Sequence, residues 1–251
     1  MFKKVLLAAL VVASAVFAQN FKVGAHAAGS YGTASGSNTD LIEIGWGPGF
    51  NVGVDAKYSV NPSFSLIAGL GVDYRRIFWD YGAFMKKMLT PFMTSDYGYS
   101  SQYDALVSAL FNGTATFSFL YVDIPVVARF APAPNFFIDA GIDVGINVLA
   151  EVTSEMMGME NTEDIDSDMK NTVDFAIVAG LGYSVTDKID VNFRAVFGLT
   201  NMIDFEKAAS SATPSTSGYS EDDDEDDDDG YSAKFDFKNM RFHLGVTYWF
   251  M

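Results

Sequence analysis

The stretch Phe136-Phe137-Ile138-Asp139-Ala140-Gly141-Ile142-Asp143-Val144-Gly145-Ile146-Asn147-Val148 decides the fold. Phe136, Ile138, Ala140, Ile142, Val144, Ile146 and Val148 are apolar, whereas Asp139, Gly141, Asp143, Gly145 and Asn147 between them are polar or glycine; only Phe137 breaks the rule. A period of two sends successive side chains to opposite faces of a β-strand, while a helix would repeat every three to four residues. The same alternation returns over 21–27, 50–58, 64–74, 122–130, 173–183, 189–199 and 242–250, making eight strands.

Links between them come in two sizes. Short ones lie near 59–63, 131–135 and 184–188, and long ones run over about 29–49, 77–113, 150–171 and 201–239. Three short turns at one end and four long loops at the other predict an all-β, eight-stranded antiparallel up-and-down transmembrane β-barrel. Its turns would be periplasmic, its long loops extracellular and both termini on the turn side.

Composition agrees. The 251 residues are 49% hydrophobic, and 32 Asp plus Glu against 16 Lys plus Arg give a formal charge of −16. Such an acidic chain lacks the cations that would replace phosphate counterions on a nucleic acid. With no cysteine there are no disulfides, thiolate metal sites or cysteine nucleophiles. Residues 1–18 have a basic start at Lys3-Lys4, an apolar run and a Val16-Phe17-Ala18 end, the pattern of a secretory signal peptide. The barrel then occupies residues 19–251, and no further domain is expected beyond the terminal strand.

Alternation alone leaves open which face is inside. An outward polar face would give a secreted, lipocalin-like barrel holding a small apolar ligand. Three features favour the inverse, membrane arrangement. The apolar faces end near the turns in aromatics: Tyr58, Phe64, Phe130, Phe136, Tyr183, Tyr248 and Phe250. The other faces are rich in glycine, as the crowded interior of a narrow barrel requires. They also carry both signs of charge. Asp55, Asp73, Arg75, Asp123, Arg129, Asp139, Asp143, Asp174, Arg194, Arg241 and His243 are therefore read as a lumenal polar network, because buried charges need partners.

Tyr121-Val122-Asp123-Ile124-Pro125-Val126-Val127-Ala128-Arg129-Phe130 resembles a characteristic strand of the outer-membrane protein β-barrel domain family, which includes PorT-like proteins. Segments 136–141, 174–183 and 193–201 are similar in the same order. The resemblance implies an eight-stranded barrel in the bacterial outer membrane and little about activity. His243-Leu244-Gly245-Val246-Thr247-Tyr248-Trp249-Phe250 resembles the terminal signal read by the barrel-assembly machinery, although Met251 follows it.

The loops carry the remaining candidates. Residues 221–229 are nine consecutive acids inside a low-complexity loop of about 208–234 that reads as disordered. Glu225, Asp227, Asp229 and Asp236 fall near calcium-loop positions but fit them poorly, so diffuse divalent-cation binding is expected in place of a defined site. Tyr103, Leu106, Val107, Leu110 and Phe111 predict a short amphipathic helix after Ser101. Methionines Met85, Met88, Met93, Met156, Met157, Met159 and Met169 read as adaptable apolar packing before copper ligands. His26 and His243 point inward on neighbouring strands. A barrel-embedded lipid-modifying enzyme would need a nucleophile held by such a base, and no serine near either forms a triad pattern.

The resulting expectation is a monomeric, non-enzymatic outer-membrane barrel without cofactor. Its filled lumen would preclude general porin conductance, and its acidic and aromatic loops would meet an extracellular surface partner.

Overall fold

The computed structural model describes residues 20–36, 44–80, 82–84, 86–87, 113–156, 159–166, 169–202 and 237–250. The expected signal peptide, the helix after Ser101, the acidic loop and all four calcium candidates lie outside these residues. Nine strands are present: β1 (Phe21–Ser35), β2 (Ile44–Asn61), β3 (Phe64–Asp80), β4 (Gly113–Ala133), β5 (Phe136–Met156), β6 (Met159–Asp164), β7 (Val173–Thr186), β8 (Ile189–Asn201) and β9 (Lys238–Trp249). Each pairs antiparallel with its neighbour, and β1 closes on β9, with Gly24 opposite Trp249 and Ser35 opposite Lys238. Eight strands form the ring; β6 lies outside it as the return arm of a hairpin on the upper half of β5.

Turns on one side are tight. Ala133 pairs with Phe136, and Asn135 takes the left-handed conformation (φ 67°) that asparagine tolerates in such turns. Backbone bonds Ser59 N–H to Asn20 O and Phe250 N–H to Val23 O, each 2.8 Å, hold both ends of the ring on this side.

On β4 the residues Leu120, Val122, Ile124, Val126, Ala128 and Phe130 point outward, while Tyr121, Asp123, Val127 and Arg129 are buried. β3 and β5 repeat this pattern up to Tyr74 and Val148. With no membrane-length helix among the described residues, this outward apolar band is the surface suited to lipid.

Above the band the strands continue, which corrects three of the expected loops. β3 runs to Asp80, β4 begins at Gly113, and β5 reaches Met156 before folding back as β6; β1 and β2 also shorten the first loop. Here the alternation inverts. Thr114, Thr116 and Ser118 face outward on β4, whereas Ala115 and Phe119 are buried, with Phe117 packed beside them. A bulge on β5 adjusts the phase: Tyr121 pairs with Asn147 but Leu120 with Leu149, leaving Val148 as the extra residue. Above it Glu151, Thr153 and Glu155 share the outward face with Ser118, Thr116 and Thr114. Inside, Ala34, Ile77, Phe119, Tyr121, Ala150, Met202 and Phe237 form an apolar plug, with Trp79, Phe84 and Phe117 against it.

Candidate functional site: the charged lumen

Beneath the plug the interior is polar, and its charges fall into three groups. In the largest, Arg75 of β3 reaches three carboxylates: Nε to Asp73 at 2.8 Å, Nη1 to Asp174 at 3.0 Å and Nη2 to Asp123 at 2.9 Å. Arg241 of β9 serves the same group, with Nε 3.0 Å from Asp73 and Nη2 3.3 Å from Asp123 and 2.5 Å from Asp143. Nε of Arg241 also donates to Nε2 of His243 at 2.9 Å. A guanidinium only donates, so that nitrogen accepts and His243 is a neutral imidazole carrying its proton on Nδ1. Arg75 lies on the Tyr121 ring, 3.8 Å from its centroid, which couples this group to the plug.

The second group sits nearer the turns. Arg129 grips Asp139 with Nε at 2.7 Å and Nη2 at 2.9 Å and reaches Asp190 with Nη1 at 2.6 Å. The bidentate geometry follows from register, since Arg129 and Asp139 are direct cross-strand partners. Arg194 adds a 3.2 Å contact to Asp139, and Asp190 further accepts from Ser184 Oγ at 2.7 Å and Trp249 Nε1 at 2.8 Å. Phe137, the one exception in the opening stretch, is the ring on which Arg129 rests at 3.4 Å.

The third group is small. His26 contacts Asp55 through Nδ1 at 2.9 Å and Asn51 through Nε2 at 2.8 Å. Among the described residues no serine hydroxyl bonds to either histidine. The two rings stand apart in register, with His26 opposite Thr247 and His243 opposite Ser30.

All eleven residues of the expected network therefore face the interior, though not as one network. Sequence reasoning missed Tyr121 and Phe137, the aromatic rings that support the guanidinium groups, Trp249, whose indole N–H donates to Asp190, and Asn51 and Asn239, which add amide contacts. Each lies on the inward phase of its strand, so strand phase was the available signal. Glycine makes room for the charges: a Cβ on Gly145 would come within 2.7 Å of Asp123 Oδ1.

The model of the outer membrane protein beta-barrel domain matches residues 17–204. The chain belongs to this family. Its location is accordingly the bacterial outer membrane, which sets aside the secreted lipocalin-like alternative. Solved structures similar to this family member include Neisserial surface protein A, at 14% identity and a TM-score of 0.41, covering 91% of this chain and 96% of that one. Ail, the attachment invasion locus protein of Yersinia pestis, shows 10% identity and a TM-score of 0.42, with 91% and 98% covered. OprG from Pseudomonas aeruginosa shows 11% and 0.36, with 92% and 94% covered. No curated protein matches the sequence.

Proposed function

We propose that this family member is a closed, non-enzymatic, monomeric barrel that serves the cell surface through its extracellular rim and loops. The observation that carries this reading is the filled interior. Ion-paired side chains occupy the lumen from Arg129 to Arg75, and Phe119, Met202 and Phe237 close it above. A narrow eight-stranded barrel has little width to spare once its inward side chains are packed. Neither histidine is left poised for proton transfer to a substrate, since each ring is tied into a charged group.

Outer-membrane lipid would contact the outward apolar band, and the assembly machinery would read the aromatic end of β9. The nine acids of 221–229 and the aromatic loops would recognise an extracellular partner, with divalent cations binding the acids diffusely. Planar bilayers containing the folded protein should show no stable large channels, and such channels would overturn the closed-barrel reading. For the surface role, cells displaying the native chain are compared with cells in which 221–229 is replaced by Ser and Asn. Reduced attachment to cationic or host-like surfaces is expected; unchanged attachment would remove the acids from the role.

A further inference from the structure

Below the second charged group, on the turn side, a cavity of about 470 Å³ opens towards the periplasm. That volume lies within the usual range for small-molecule sites. Its walls bring together two ammonium groups, because Lys22 of β1 and Lys57 of β2 are direct cross-strand partners. Like charges placed opposite one another on a sheet repel. Among the described residues neither has a carboxylate within ion-pair reach. Lys57 Nζ lies over the Trp249 ring at 5.4 Å, and Lys22 Nζ donates to the main-chain oxygen of Asp187 at 3.3 Å.

The other charges around the cavity offset this only in part, since Asp190 and Asp139 attract Lys57 from beyond ion-pair distance while Arg129 repels it. Asp190 is engaged by Arg129, Ser184 and Trp249, and the positive charge of Arg129 is met by Asp139 and Asp190. Asp187 lies in the turn between β7 and β8. Hydroxyl and amide side chains, including Ser63, Asn135 and Thr186, line the rest. An anion lodged between the lysines would remove their repulsion, and the polar walls suit a ligand carrying hydroxyl groups.

We infer that the periplasmic vestibule is a binding site for a small polyhydroxylated anion, of the sugar-phosphate class, held between Lys22 and Lys57. The test is an NMR titration of the folded protein in detergent micelles at constant ionic strength, read at the Trp249 indole N–H. Glucose 6-phosphate, inorganic phosphate and glucose are the probes.

Glucose 6-phosphate should give a saturable shift, and Lys57→Met should weaken its affinity about tenfold or more, equivalent to about 1.4 kcal/mol. Lys22→Met should weaken it less, while Arg76→Gln, remote on the outer wall, should leave it unchanged. Heat-dependent gel mobility verifies folding, and Lys57→Gln replaces Lys57→Met if the latter does not fold. Absence of a saturable shift, or full affinity in both lysine variants, would overturn the site. Equal affinity for inorganic phosphate would overturn the polyhydroxylated class, and equal affinity for glucose would overturn the role of charge.

Discussion

Below Leu120 the barrel wall is apolar outside and polar inside; above it the same strands are polar outside and apolar inside. β4 makes the change without altering its backbone phase, by exchanging Asp123 and Arg129 for Ala115 and Phe119 on the inward face. The chain folds the same sheet for two solvents. In the band, lipid covers the apolar side and charges must find one another inside. In the rim, water covers Thr114, Thr116 and Glu151, and the hydrophobic effect works in its ordinary direction, gathering Phe119, Met202 and Phe237.

The contrast can be broken most severely in the band. Arg241→Met removes the guanidinium that meets Asp73, Asp123 and Asp143, and breaking a buried charge cluster costs about 3–5 kcal/mol. The measurement is denaturant unfolding from lipid vesicles, and a loss below about 1 kcal/mol would mean that water reaches these carboxylates. Phe119→Ala should cost about 3 kcal/mol in the same assay, as for a buried aromatic in a soluble core. It should open no stable channel, because the charged groups beneath remain.

A matched pair sharpens the comparison further. Ile142→Arg places a charge on the outward apolar face and should destabilise by about 2–3 kcal/mol. Thr116→Arg, outward but above the band, should change stability by less than about 1 kcal/mol. Equal penalties would move the band's upper boundary.

The membrane half was legible because its signal is simple. Ile138 to Val148 alternate in one phase, and Asp139, Asp143 and Arg129 on the other phase have no plausible place in lipid. The rim was not legible in the same way. Its apolar residues, Ile77, Trp79, Ala115, Phe117 and Phe119, fall on the phase that carries charges lower down, so a search for continued outward hydrophobicity ends at Tyr74 and begins again at Leu120. The plug also joins Ala34, Ile77, Met202 and Phe237, which only ring closure brings together. Division of the lumenal charges into three groups likewise depends on height in the barrel, which residue type alone does not carry. Lys22 and Lys57 show the same limit: the alternation of 21–27 and 50–58 puts each on a polar face, but their pairing is a matter of register.

Val148 has a genetic consequence. Deleting this single codon would remove the extra residue and leave Asn147 opposite Tyr121 and Leu149 opposite Leu120, so the top of β5 would keep its facing. Glu151, Thr153 and Glu155 would stay outward, and Ala150 would stay inward opposite Phe119. Losing Leu149 as well would turn Glu151, Thr153 and Glu155 inward, so in-frame deletions here should be tolerated by odd and even count rather than by length.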